Sequence, residues 1–325
     1  VVSIWGYTFV MVKDSVEEYP VFAFLALRFS MATLFFLPLL ALRLKRRPQG
    51  QGPEAAGEAR ERGSAGAGRG PVAAAERARV RRGIVMGGIL AGIALGAGYG
   101  FQTAGLVDTT PARAGFITGL SVVFVPLGAV LLLKQRAGLS EWLGVLLATA
   151  GLVIMIIDEQ GTVGRGDLLV LGCAFCYAIQ ILVIGRYAPS IPPVPLAAAQ
   201  VLVVAILTGG ISLAIDVPAG LPPLRGQVLY AAAFTGALAT TFAFAMQTWA
   251  QRFTSATHTA LIFSLEPVAA AAASYLLTGE VLGGRALWGA GMILAGMLTA
   301  ELGGNLAGAP SGVRRRRAPL DEAAG

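Results

Sequence analysis

Apolar stretches close to the roughly 20 residues that a helix needs to cross hydrocarbon recur along almost the whole chain, parted by a few charged, Gly or Pro residues. They fall at 1–12, 19–42, 84–106, 113–133, 139–157, 166–187, 194–215, 227–250, 255–277 and 282–302. Inside a bilayer the backbone has no water to bond, and no stretch alternates polar and apolar residues as an outer-membrane strand does, so each reads as a helix. An apolar share of 55%, a charged share of 13% and a mean hydropathy of +0.70 agree with this and do not suit a soluble surface. The expected fold is an all-α integral membrane protein with ten transmembrane helices.

Residues 48–82 break the pattern. They are rich in Gly, Ala, Glu and Arg and nearly free of large apolar side chains, which predicts a disordered loop. The basic tail 303–325, with Arg314 to Arg317, reads the same way and is expected to meet anionic lipid. If the N-terminus is inside, 19 of the 25 lysines and arginines fall on the cytoplasmic side and 5 outside. That bias predicts a multi-pass protein of the cytoplasmic (inner) membrane with both termini in the cytoplasm. The net charge of +7 does not point to nucleic acid, because the basic residues form no stripe interleaved with stacking aromatics. The chain opens on Val1 and its first apolar run reaches only to about Val12, so residues upstream of it are expected.

An internal repeat organises the spans. Pro126 and Pro267 lie at matching depths in the fourth and ninth spans, 141 residues apart, and Gly138 and Gly279 keep the same separation. After a four-residue slip, Gly144 with Gly151 matches Gly289 with Gly296, and Trp142 and Trp288 precede them. The chain therefore divides into two five-helix halves, 1–157 and 166–302. An odd number of spans per half makes the second enter the membrane upside down, and inverted repeats are a recurrent transporter plan with the substrate site near the midplane.

The residues that carry a family resemblance are WGYTFVMVK at Trp5 to Lys13, ALRF at Ala26 to Phe29, RAGFITGLSVVFVP from Arg113 to Pro126, and THTALIFSLEPVAAA from Thr257 to Ala271, followed by Gly279 and Glu280. On these runs the chain resembles the EamA group of the drug/metabolite transporter superfamily over nearly its whole length. The long segment between the second and third spans departs from that pattern. The resemblance implies two paired five-helix units and the movement of small molecules such as amino acids, related metabolites or drug-like compounds, most plainly as export.

Glu266 stands about eleven residues into the ninth span, near mid-bilayer, where an ionisable group costs roughly 2.5 to 3.5 kcal/mol on insertion scales and faces a cavity or a partner. It either serves substrate and coupling or braces the helix that Pro267 interrupts. Pro126 is expected to interrupt the fourth span in the same way. Arg28, the one cation inside a span, is the expected partner of Glu266, directly or through substrate. Gln102, Gln180 and Gln247, in spans that also carry Tyr99, Tyr177 and Trp249, suit either a polar cavity with aromatic walls or bonds between helices. Gly88, Gly92, Gly96 and Gly100 recur every four residues and give a flat packing side.

Two functional classes follow. The first is a secondary transporter working by alternating access. The chain has no GxxxxGK[ST] loop for ATP, and its coupling proton is expected on Glu266. The second is a membrane redox enzyme or transferase using Cys173 and Cys176. Against the second, the only histidine, His258, leaves the cysteine pair short of metal ligands, and simple packing suits both thiols. His258 is either a proton relay or a solvated helix end. No catalytic residue, metal or cofactor is expected. The expected partners are a small-molecule substrate, the lipid bilayer, a coupling proton and a second copy of the chain in a homodimer, with no nucleic acid.

Overall fold

A computed structural model describes residues 1–45, 69–133, 139–157, 163–254, 256–263 and 265–306. In order, its helices are α1 (Val2–Glu18), α2 (Val21–Lys45), α3 (Arg69–Asp108), α4 (Pro111–Gly119), α5 (Ser121–Leu133), α6 (Leu139–Ile156) and α7 (Arg165–Tyr187). They continue as α8 (Pro193–Ala219), α9 (Gly226–Phe234), α10 (Ala243–Ala250), α11 (Ala256–Phe263), α12 (Glu266–Thr278) and α13 (Gly284–Leu306). A π-helical stretch, Thr235–Phe242, joins α9 to α10. Among the described residues, six stretches are long and apolar enough to cross a membrane: Val21–Leu42, Ala74–Asp108, Pro111–Ala129, Arg165–Ser190, Pro193–Ala219 and Gly226–Ala250. The fold is all-helical, and its exposed surface is strongly apolar: Leu213 is 69% and Leu276 78% exposed. In water such a surface would associate; in a bilayer it faces lipid.

Helix contacts are set by small residues. A Cβ built on Gly88 would lie 2.5 Å from Cβ of Ala199, and one on Gly92 2.6 Å from Cβ of Val203, so the glycine side of α3 lets α8 come close. At Gly96 the approach relaxes to 3.3 Å from Leu207, and at Gly100 the neighbour is Phe22 of α2, at 3.5 Å. Between α6 and α13 the fit is tighter, with Gly151 against Gly289 and Gly296 against Gly144. Helix α2 packs on α8, α1 on α12, and α7 on both α3 and α5. The first half-helix of one interrupted pair lies against the second half of the other: α4 packs on α12, and α5 on α11. The two interrupted pairs therefore run antiparallel.

Three expectations are corrected by the structure. Helix α1 continues past the first predicted span to Glu18, because its polar end is composed of good helix formers and Lys13 faces Glu17 one turn on, at 3.6 Å. The expected disordered loop 48–82 is helical from Arg69 onward, since alanine, arginine and glutamate favour helix even where nothing is packed against them. Residues 48–68 lie outside the described residues, as do Lys134, Arg136, Gly138, Ser264 and the tail from 307. Finally, the fourth span is interrupted at Leu120 rather than at Pro126. Pro126 sits inside α5, where the donor it removes is missing only from the carbonyl of Val122, within the first turn of that helix.

The break at Leu120 has a counterpart. Leu120 N–H donates to the Ile117 carbonyl at 3.1 Å, and Leu265 N–H to the Ile262 carbonyl at 3.4 Å. Both bonds are a residue shorter than an α-helical one, and each ends a half-helix. Leu120 and Leu265 are 145 residues apart, the same offset that relates Gly144 to Gly289 and Gly151 to Gly296. Aligned on the breaks, the two halves need no slip, and Ser121 rather than a proline neighbour is the counterpart of Glu266.

Candidate functional site

Beside the two breaks lies a cavity, open at its mouth, whose roughly 570 Å³ of empty space includes open solvent. Arg28, Tyr99, Gln102, Gln180, Gln247 and Glu266, dispersed over the sequence, all line it. Helices α2 and α3 supply the first three, and α7, α10 and α12 the others. Ser121 joins them at the first residue of α5, as Glu266 does at the first residue of α12, so two helix N-termini begin at the cavity wall. The partial positive charge of those ends favours a carboxylate at the Glu266 position.

Glu266 is 9% exposed, and its carboxyl has no hydrogen-bond or ion-pair partner among the described residues. The expected direct pairing with Arg28 is absent among the described residues: the two side chains share the cavity without an ion pair. Arg28 is instead held by neutral groups. Its Nε donates to Thr240 Oγ1 at 3.1 Å and its Nη2 to the Tyr99 hydroxyl at 3.1 Å, while the guanidinium carbon lies 4.6 Å from the centre of the Tyr99 ring. Thr240 reaches Arg28 because α9 and α10 are joined by π-helical turns. The widened turn also brings Gly236 against α2, where a Cβ would lie 2.9 Å from the Arg28 carbonyl oxygen.

The glutamines form two hydrogen-bonded groups. Gln247 donates to Gln180 Oε1 at 3.1 Å, Gln180 donates to Gln200 Oε1 at 2.9 Å, and Gln251 donates to the Ile181 carbonyl at 3.1 Å. Gln102 donates to Thr118 Oγ1 and accepts from the Tyr177 hydroxyl, both at 3.1 Å. Gln247 Oε1 and Gln200 Nε2 are left without a partner. The glutamines thus combine both expected roles, bonding between helices while lining the cavity.

The aromatic wall was only partly legible. Tyr99 and Tyr177 stand on it with ring centres 5.5 Å apart. Trp249, expected beside them, is half exposed and meets Phe253 edge to face at 5.3 Å on the outside. Its place is taken by Trp5, which donates Nε1–H to the Ala239 carbonyl at 2.7 Å and meets Phe244 at 5.6 Å and Phe263 at 5.0 Å. Trp5, Phe244, Phe263 and Ser121 were missed as site residues. For Ser121 the 145-residue offset was the available signal.

Neither proline lines the cavity. Pro267 packs on the α4 end, where a Cβ on Gly119 would lie 2.5 Å from its Cγ. Cys173 is buried, Cys176 is partly so, and both thiols are free. No group of three metal-ligating side chains forms among the described residues. The side chain of His258 lies outside them.

A polar network ties helix ends at one end of the bundle. Lys13 Nζ donates to the carbonyls of Leu106 and Thr109 at 3.0 Å each, and Thr109 Oγ1 donates to Asp167 Oδ1 at 2.5 Å. Arg113 forms an ion pair with the same carboxylate of Asp167, which is 4% exposed. Glu280 accepts from Ala112 N–H at 3.3 Å and from the Ser274 hydroxyl. The ends of α1, α3, α4, α7 and α12 are joined in this way.

Comparisons with known proteins agree with this architecture. A relative from Archaeoglobus fulgidus, described as an uncharacterized transporter, is 29% identical over 302 residues, covering 93% of this chain and 83% of that protein. A solved crystal structure superposes with a TM-score of 0.62 at 18% identity, over 95% of this chain and 96% of the other, a likeness of fold alone. The model of the EamA-like transporter family matches twice, over residues 1–157 and 164–300. With two matches meeting at the boundary between the halves, and with apolar helices around a polar cavity, the chain belongs to the EamA-like transporter family of the drug/metabolite transporter superfamily and is a multi-pass membrane transporter rather than an enzyme.

Proposed function

We propose that the chain is a secondary transporter of ten membrane crossings, two five-span units inserted in opposite senses, which exports amino acids, related metabolites or drug-like compounds by alternating access. One observation carries the reading. The first half brings Arg28, Tyr99 and Gln102, and the second Gln180, Gln247 and Glu266, to a single cavity beside the breaks at Leu120 and Leu265. Interrupted helices at corresponding positions of two repeats are where transporters bind cargo. Opposite insertion is supported by the antiparallel packing of α4 and α5 against α12 and α11, and by the crossing of Gly144 and Gly151 over Gly296 and Gly289.

With both termini in the cytoplasm of the cell membrane, the Lys13, Asp167, Arg113 and Glu280 network stands on the outer side and holds that side together until cargo is released. Glu266 carries the coupling proton: it is the one carboxylate on the cavity and has no partner there among the described residues. The test is flux of a labelled amino-acid mixture in proteoliposomes with and without an imposed pH gradient. The expected outcome is flux that follows the gradient in the wild type and loses that dependence in Glu266→Gln. Flux indifferent to both the gradient and the substitution sinks proton coupling. The absence of any carrier-dependent flux sinks the transport reading for these cargoes.

A further inference from the structure

Arg28 is the sole basic residue on the cavity wall among the described residues. It is 2% exposed, and a cation at that depth needs a counter-charge or a set of acceptors. Its described acceptors are neutral, Thr240 Oγ1 on Nε and the Tyr99 hydroxyl on Nη2. Nη1 has no hydrogen-bond partner among the described residues, yet it is not fully buried. The unspent edge of the guanidinium therefore opens on the cavity. The Tyr99 ring and the Thr240 hydroxyl fix the plane of the fork from the other side, as a seat for a planar anion requires.

We infer that Arg28 seats the carboxylate of the cargo, with the apolar body of the cargo lying against Trp5, Phe244 and Phe263. This deepens the transport reading, on which it rests only for the word cargo; the seat itself is a binding site. A carboxylate is favoured over a phosphate by charge. One guanidinium balances one negative charge, and no second basic side chain is present among the described lining residues to balance a dianion, while Glu266 shares the same space. The aromatic edges leave a wall of rings beside the fork. Trp5 and Phe263 meet edge to face, and Tyr99 meets Phe29 in the same way at 4.9 Å.

The experiment is calorimetric binding of three probes to the purified full chain in nanodiscs: phenylacetate, phenylethanol and benzylphosphonate. The expected result is that phenylacetate binds at least about tenfold more tightly than the alcohol, as a charge-assisted pair with a fork allows, and more tightly than the phosphonate. Arg28→Gln removes the preference, and Arg28→Lys, which keeps the charge and loses the fork, retains part of it. Equal binding of acid and alcohol by the wild type overturns the seat, and so does no binding of phenylacetate. These readouts stand even if the variants fold poorly. Tighter binding of the phosphonate overturns the choice of carboxylate, and a preference that survives Arg28→Gln overturns the assignment to Arg28. A preference that disappears with Arg28 while proteoliposomes show no flux keeps the seat and sinks transport. Flux without any such preference does the reverse.

Discussion

Gly151 and Gly289 stand backbone to backbone: a Cβ on either would lie 2.6 Å from the carbonyl oxygen of the other. No side chain fits between α6 and α13 at that point unless the helices move apart. Gly296 repeats the relationship against Gly144, again with 2.6 Å between the built Cβ and the carbonyl oxygen. The contact joins the last helix of each half along its length.

Gly151→Leu is therefore expected to destabilise the protein by about 3 kcal/mol, the upper part of the range for overpacking, because the obstacle is backbone and cannot rotate away. Gly291, on α13, has open space around its Cβ position, and Gly291→Ala should leave stability unchanged or raise it by up to about 1 kcal/mol. Thermal unfolding in detergent followed by fluorescence compares the two. Equal midpoints would show that α6 and α13 do not depend on this contact.

An asparagine in place of Asp167 takes the negative charge away from the Arg113 guanidinium and leaves one amide oxygen where two carboxylate oxygens served Arg113 and the Thr109 hydroxyl. Asp167→Asn is expected to cost about 3 kcal/mol, the low end for breaking a buried pair, since the Arg113 side chain keeps 28% exposure and recovers some hydration. Cysteine accessibility at Leu106, buried in the wild type, should rise in the same variant as the ends of α3 and α7 loosen. Unchanged labelling of a Leu106→Cys reporter would argue that the network does not hold this end of the bundle together.

Gln180 both donates and accepts, giving to Gln200 and taking from Gln247. Gln180→Leu strands both neighbours in a buried setting and should lower stability by about 1 to 3 kcal/mol. The double change with Gln247→Leu is expected to be milder than the two single effects added, because it removes a donor along with its acceptor. Additive unfolding midpoints in a double-mutant cycle would mean that the two side chains are not coupled.

Cys173→Ser with Cys176→Ser should change stability by no more than about 1 kcal/mol, because the buried hydroxyl at position 173 has the Tyr177 and Thr118 hydroxyls within hydrogen-bond reach. Flux per folded molecule should stay at the wild-type level. Loss of flux in well-folded double variant would favour chemistry at these thiols after all.

Apolar spans were legible because a bilayer imposes one length and one polarity on every crossing, and the membrane-facing surface obeys it at Leu213 and Leu276. Arg28 and Glu266 were legible for the opposite reason, since ionisable side chains inside such spans are rare and costly. What the residues did not disclose was local geometry. Pro126 marked a break that the helix places six residues earlier, at Leu120, and the helix Ser121–Leu133 runs on through the proline with one donor to the Val122 carbonyl missing. The π-helical turns at Thr235–Phe242 leave no mark in composition, yet they bring Thr240 to Arg28. Trp5 lies in the shortest apolar run and Trp249 in a span that carries Gln247, yet it is Trp5 that lines the cavity and Trp249 that faces outward.

Helix α3 has 40 residues and is about 60 Å long at 1.5 Å per residue, twice the thickness of a hydrocarbon layer. Its apolar part begins near Gly83, and the side chains from Ala74 to Arg79 are bare. The first turns form a stalk of roughly 20 Å that keeps climbing after the lipid has ended. A tag or protease site placed at its tip is therefore held clear of the headgroups, within reach of soluble reagents and away from the transport path.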